Sequence, residues 1–540
     1  MQYSPHPAEQ SVTEGPSSMS QTTSTATATA TATSTSTSTS TSALQEDLAA
    51  RRSKYHEADV VVVGAGVFGC AVANTLANQG RSVILLERWM KEPNRIVGEL
   101  LQPGGYKSLE RLGLEHCVEG IDAVTNVGMD VIWYGQDMAM KYPYPGEGKR
   151  PSVRLSAPQA NGKAKQEDQD PRQPKGRSFH HGRFIMQLRR TCMRNPNITI
   201  FETEATATVK SDDSPEILGV QTLTVNPATG QKEPDCFFGQ LTIIADGYAS
   251  RFRKEYIGRA PIVRSKFYAL ELIDCVLPHA GYGHVVIGGK TLCLLYQIGT
   301  HETRALVNVP EKLPEAAPAA GGVRGYLKNV VLPQLPESIQ PSFRAALEKD
   351  DKIPASMPNS WLPPTKQGTH AGLVLLGDAM NMRHPLTGGG MTVALNDAII
   401  LSEELSPEKV PNLGDYAAVR RAMSTLHSRR KHLTSIINVL AQALYSLFAA
   451  EDKNLAKLQR GCFAYFEMGW SADPMGFLGG LIQRPLLLGY HFFTVAFVAI
   501  WLDWKDTGLW KVPLLLWNAF SILWTASVVF LPVMLQELVY

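Results

Sequence analysis

The chain has 540 residues, 44% hydrophobic and 19% charged, which is too long for one compact core and predicts two domains with appendages. Lys and Arg total 52 against 50 Asp and Glu, a net charge of +2, so nothing marks a nucleic-acid binder. Seven scattered cysteines (Cys70, Cys117, Cys192, Cys236, Cys275, Cys293 and Cys462) form no C-x-x-C pair, which argues against a disulfide framework or a metal site and suits a reducing compartment.

Residues 1 to about 45 are dominated by Ser, Thr and Ala repeats that bury too little surface to offset ordering, so a disordered tail is expected over 1–55, without the apolar core of a signal peptide. Folded sequence begins near Ala58. Val60-Val61-Val62-Val63 reads as a strand of a parallel sheet buried on both faces. It runs into Gly64-Ala65-Gly66-Val67-Phe68-Gly69, a helix to Gln79 capped by Gly80, and a second strand from Ser82 to Leu86 that ends at Glu87. This is one βαβ unit. Residues 146–178 read as a solvated loop insertion. Residues 261–310 alternate apolar and polar positions, as in the antiparallel sheet of a second domain. From Thr425 to Phe466 apolar residues recur at helical spacing. Pro485–Leu502 and Val512–Gln536 carry no charge, and roughly 20 helical residues span a bilayer core, so a C-terminal membrane hairpin is expected. Trp501, Trp504, Trp510 and Trp517 flank its turn, where interfacial aromatics belong. The alternative is a buried helical pair.

In the glycine-rich turn, Gly64 permits the tight exit from the strand, Gly66 lets backbone approach a pyrophosphate, and Gly69 allows helix-to-strand packing. Glu87 is placed to accept hydrogen bonds from a ribose, so the segment predicts dinucleotide binding. Two later segments bear on whether that is a flavin or a nicotinamide nucleotide. The strand from Leu241 ends in Asp246-Gly247, which by itself is also a common turn. The strand from Leu373 leads to Gly377-Asp378, then to Gly388-Gly389-Gly390-Met391 at a helix start, whose N–H groups suit a phosphate or a ring oxygen.

In that order these three stretches resemble the flavoprotein hydroxylase superfamily. Longer segments narrow the likeness. "LLERWMKEPNRIVGELLQPGG" (85–105), "FHHGRFIMQLRR" (179–190), "GDAMNMRHPLTGGGMTVALND" (377–397), "LAQALYSLF" (440–448) and "GYHFF" (489–493) are similar to signature segments of the squalene epoxidase family. The resemblance implies an α/β fold: a Rossmann-type FAD-binding domain, a mixed or antiparallel β-sheet substrate domain over the flavin, and a helical membrane anchor. On that basis the FAD-binding domain takes 56–145, 179–260 and 366–424, the substrate sheet 261–365, a helical pocket region 425–475 and the hairpin 476–540.

The resemblance also implies FAD contacts from Val67, Phe68, Glu87, Arg88, Arg95, Arg189, Asp378 and Met391. An apolar substrate tunnel would be lined by Phe448, Phe463, Phe466, Pro474 and His491. From the residues alone, Arg95 and Arg189 could be ordinary ion-pair residues, those aromatics plain helix packing, and His180 and His181 structural. Where the family often has Gly-Tyr, this chain has Gly128-Met129, with Tyr134 nearby. The implied reaction is epoxidation of squalene by O2 in sterol synthesis. The oxygenated flavin transfers the atom, so no protein nucleophile, carboxylate pair or metal is required. Electrons would come from NADPH through a reductase of the endoplasmic reticulum, where the chain would sit in membrane lipid facing the cytosol, with the lipid-droplet surface as an alternative. A membrane epoxidase of prenylated metabolites is the competing enzyme reading, and a non-catalytic FAD-fold carrier the third.

Overall fold

The computed structural model describes residues 56–144, 172–226, 228–289, 291–349, 352–367, 370–450, 452–507 and 512–539. The tail expected at 1–55, the polar insertion as far as residue 171, and Trp510 lie outside these.

The β-branched run places β1 (Glu57–Val63) at the centre of a largely parallel sheet, with Val60, Val61 and Val62 wholly buried. It pairs in parallel with β2 (Val83–Glu87) on one side and β10 (Lys232–Ile244) on the other. β8 (Ile198–Lys210) and β10 are long enough to serve twice. One half of each joins the parallel sheet, and the other pairs antiparallel with β9 (Ile217–Val225). β16 (Leu373–Leu375) completes the sheet beside β10. Helices α1 (Val67–Asn78) and α3 (His181–Arg194) pack on each other, while α2 (Pro103–Leu112) packs elsewhere, against α5. Here α5 is Gly390–Glu404, which also covers α1. α4 (Gln340–Glu348) lies on the second sheet.

That second sheet runs β15-β11-β14-β13-β12-β5-β6. Its strands are β5 (Gly128–Trp133), β6 (Gln136–Lys141), β11 (Ile262–Ile273), β12 (Tyr282–Gly288), β13 (Thr291–Gln297), β14 (Glu302–Pro310) and β15 (Ser356–Trp361). The alternation expected over 261–310 is present, but both faces are covered. One face packs under helices around α4, and the other joins Met129, Leu294 and Leu306 to Tyr445 and Phe463. Two assignments are corrected. β5 and β6, inside the stretch given to the nucleotide-binding domain, belong to this sheet, because β5 pairs in parallel with β12. β7 (Gly176–Ser178), inside the expected loop insertion, pairs with β3 (Leu100–Leu101) and β4 (Val124–Asn126).

The helical C-terminal part begins earlier than its apolar spacing suggested. α6 spans Tyr416–Ala449, started by Asp415, whose carboxylate accepts the Ala418 N–H, so the expected boundary at residue 424 falls inside it. Asp452 caps α7 (Lys453–Glu467) in the same way, and α8 is Ala472–Leu478. The chain then reaches α9 (Pro485–Thr507) and α10 (Val512–Val539). Three described helices are long and apolar enough to cross a membrane, α6, α9 and α10, with mean hydropathies of 1.3, 1.8 and 1.9. Burial separates them. The apolar stretch of α6 is 67% buried in the protein, those of α9 and α10 only 28% and 22%, so α6 is a core helix and the last two form the apolar hairpin. Just ahead of that hairpin, the Gly104 N–H donates to the Gly479 carbonyl at 2.7 Å. A Cβ on Gly104 would lie 2.5 Å from the Gly480 oxygen.

Candidate flavin cavity and apolar chamber

A cavity with about 1430 Å³ of open space lies where β1, β10 and β16 deliver the chain to α1, the Asp-Gly turn and α5. Its floor is backbone. Gly64 turns at φ +104°, and a Cβ there would sit 2.5 Å from the Ala245 carbonyl oxygen; one on Gly69 would sit 1.8 Å from Gly64 O. A Cβ on Gly66 would meet nothing within 4 Å, so its backbone faces open space. α1 and α5 both start at this cavity, and neither has a side-chain cap or an acidic residue in its first turn. Two helix N-termini therefore offer N–H groups and positive potential to an anionic ligand.

The charged groups around that floor divide into those that face the cavity and those that shape it. Asp378 lines it, with Arg95 Nη2 3.9 Å from its Oδ2 and the Arg95 guanidinium over the Tyr248 ring at 5.4 Å. Glu87 closes the glycine turn, accepting the Ala65 N–H at 2.9 Å. Arg189, only 5% exposed, pairs with Glu87 at 3.2 Å and donates to the carbonyls of Ala65, Trp89 and Lys91. It thereby fixes the acidic residue and the turn together.

Val67, Phe68, Gly66, Gly247, Gly388, Gly390 and Met391 also line the cavity. Seven expected contacts lie off its wall, Glu87, Arg189 and Gly69 among them as supports of the turn. Arg88 is exposed and stacks on Trp89 at 4.1 Å. Asp246 turns into its own loop, where its carboxylate accepts the Arg251 N–H. Gly389 is small for packing, since a Cβ would meet Ile437 Cγ2 at 2.4 Å. Gly64, set behind Gly66, acts through the turn.

Sequence reasoning left several residues out. His181 is on the cavity wall, with Nδ1 2.8 Å from Gly98 O, and burial followed by the Arg95 charge pulls its pKa down to about 3. It is a neutral imidazole. Glu99 and Tyr296 line the same wall, and Glu99 is held by a buried two-point contact from Arg304 at 2.8 and 2.9 Å. Burial, then the Glu99 charge, raises the Tyr296 hydroxyl well above its ordinary range, so it stays protonated. "GEL" in the 85–105 segment was the available signal for Glu99; Tyr296 and Arg304 had none, because strand pairing brings them in. Met129, set by the sequence resemblance opposite a tyrosine, lines the cavity, and Tyr134 lies 63% exposed on the β5–β6 turn.

The expected tunnel residues divide likewise. Phe466, Pro474 and His491 line a second cavity, about 720 Å³, among α6, α7, α8, α9 and α10, otherwise walled by residues such as Leu440, Leu444 and Phe492. His491 is fixed there, 2.6 Å from the Tyr465 hydroxyl and 3.0 Å from Asp473. Phe448 and Phe463 are not on that wall. They pack under the second sheet, Phe463 stacked on Trp133 at 4.7 Å. One apolar cluster holds Met129, Leu294 and Leu386 of the first cavity and packs against Leu444 and Phe466 of the second.

The squalene epoxidase family model matches residues 238–517. A squalene epoxidase of Gibberella zeae is 59% identical over 90% of this chain and 97% of its own length. One of Candida albicans is 39% identical over 89% and 99%. The chain belongs to the squalene epoxidase family. A squalene monooxygenase of Mus musculus is 37% identical over 89% of this chain and 78% of its own. Among solved structures, a probable FAD-dependent monooxygenase of Pseudomonas aeruginosa shares the fold with TM-score 0.55 and 20% identity, over 73% of this chain and 97% of that one. A p-nitrophenol 4-monooxygenase of Pseudomonas putida does so with TM-score 0.56 and 17% identity, over 79% and 98%. The glycine cradle and paired helix starts of this squalene epoxidase family member are thus set in a flavin-monooxygenase fold.

Proposed function

We propose that this chain binds FAD in the first cavity and epoxidises squalene to (3S)-2,3-oxidosqualene in sterol synthesis. The observation that carries this is one apolar cluster that lies between the first cavity and the chamber beside the exposed hairpin, water-free surroundings suited to a hydrocarbon. Bound FAD would supply the oxygen activation: O2, two electrons and two protons give one oxygen atom to the alkene and one to water. The chain's own residues bind and orient. The N–H groups opening α1 take the pyrophosphate, Glu87 a ribose, Asp378 the ribityl chain, and the Gly388–Met391 backbone the ring. Arg95 offsets the charge of Asp378 and of the reduced ring. Met129, Leu294 and Leu306 exclude water around the double bond.

A separate reductase of the endoplasmic reticulum passes electrons from NADPH, and the hairpin holds the catalytic body on the cytosolic face. The test is detergent-purified protein with FAD, NADPH, a microsomal NADPH reductase and squalene, with products identified by mass. The expected result is oxidosqualene that vanishes when the reductase is omitted. Flavin-bound protein that consumes NADPH and leaves squalene untouched would transfer the assignment to a prenylated-metabolite epoxidase.

A further inference from the structure

The last turns of α10 invert the pattern of the rest of the hairpin. Leu535, Leu538 and Val539 are 57%, 71% and 60% exposed, while the one charged residue among them, Glu537, is 3% exposed. A carboxylate is turned inward at the end of an apolar helix whose hydrocarbon faces out. Burying it is costly unless it is paired. Its Oε2 accepts from Lys431 Nζ and its Oε1 from Asn438 Nδ2, both at 2.7 Å and both on α6. Asn438 is thereby oriented with its Oδ1 toward Arg383, whose Nε donates to it at 2.9 Å. Arg383 is buried on the wall of the flavin cavity and donates on to the carbonyls of Asn381 and Gly390, the latter being the first residue of α5. Among the described residues no carboxylate forms an ion pair with Arg383; Asp378, then Asp397 and more weakly Glu537 act on its charge through space, so the link from Glu537 runs through the hydrogen bonds of Asn438.

We infer that Glu537 is a positioning residue for the flavin site. Through Asn438 and Arg383 it couples docking of the C-terminal helix to the loop that receives the cofactor. The inference rests on the assignment of the first cavity to FAD. A coupling of this kind is reciprocal: whatever docking of α10 does for FAD affinity, FAD does for docking of α10.

The experiment uses full-length protein in detergent and reads FAD affinity by flavin fluorescence, independent of turnover. E537Q, which keeps the shape and removes the charge, is expected to bind FAD about tenfold more weakly. E537D is expected to recover most of that loss, and L538A, on the exposed side of the same turn, to match the unaltered chain. Hydrogen exchange on the unaltered protein gives the reverse reading, with amides 530–539 exchanging more slowly when FAD is added. FAD affinity unchanged in E537Q overturns the inference, as does exchange at 530–539 indifferent to FAD if E537Q does not fold. Failure of the unaltered chain to bind FAD overturns the cofactor assignment as well, so the two failures are distinct.

Discussion

The two cavities are built from different materials. The flavin cavity is cut from backbone: glycines that leave room, helix starts with unpaired N–H groups, and charged side chains clamped behind them. The chamber near the hairpin is cut from side chains on five helices, with His491, Tyr465 and Asp473 its polar thread. A backbone cradle tolerates no added atom at Gly64, Gly69 and Gly389 but much variation around them. A side-chain chamber tolerates substitution of the same volume and is defined only by how the helices pack. Selectivity for cofactor and for hydrocarbon therefore respond to different kinds of change.

The largest break in that contrast is expected from G69A. Its Cβ has no space against Gly64 O, so flavin should be absent from the purified protein and the melting temperature lowered. R189M comes next. Removing one partner of a buried pair costs about 3–5 kcal/mol, and thermal unfolding together with flavin content would report it. A443F, which fills the helical chamber, is expected to suppress squalene turnover while leaving FAD affinity unchanged, at about 1–3 kcal/mol of overpacking. Equal loss of both would show that the two cavities are one functional unit.

A pH-dependent effect, small near neutrality, follows from His181. Its pKa is lowered to about 3 from 6.5, so the unfolded chain binds the extra proton first, and the stability it contributes is lost as pH falls from about 6.5 toward 3. The slope approaches 1.4 kcal/mol per pH unit, and H181N should flatten it in denaturant titrations at stepped pH. Y134F is expected to change neither turnover nor stability beyond ~0.5 kcal/mol, whereas a large loss would show that this exposed tyrosine does serve in place of one at Met129.

The same division explains what could be read beforehand. Gly64, Gly66, Glu87, Asp378 and the 388–390 run are local in sequence, because a turn between a strand and a helix is made by consecutive residues. The chamber was legible only as a set of aromatics. Which of them share a wall depends on how α6, α7 and α9 cross, so Phe466 and His491 meet there while Phe463 goes to Trp133. β5 escaped for a related reason, since a parallel partner 154 positions on (Tyr282 beside Gly128) leaves no local trace. The absence of charge over Pro485–Leu502 and Val512–Gln536 already set the hairpin apart from α6, and burial divides them in the same way.

The contact between Gly104 and Gly479–Gly480 has a mechanical consequence. It fastens the chain, a few residues before the hairpin, to the first turn of α2 by backbone touching backbone. Only residues 481–484 lie between that contact and the first turn of α9, so any displacement of the hairpin is passed by a very short lever to the start of α2.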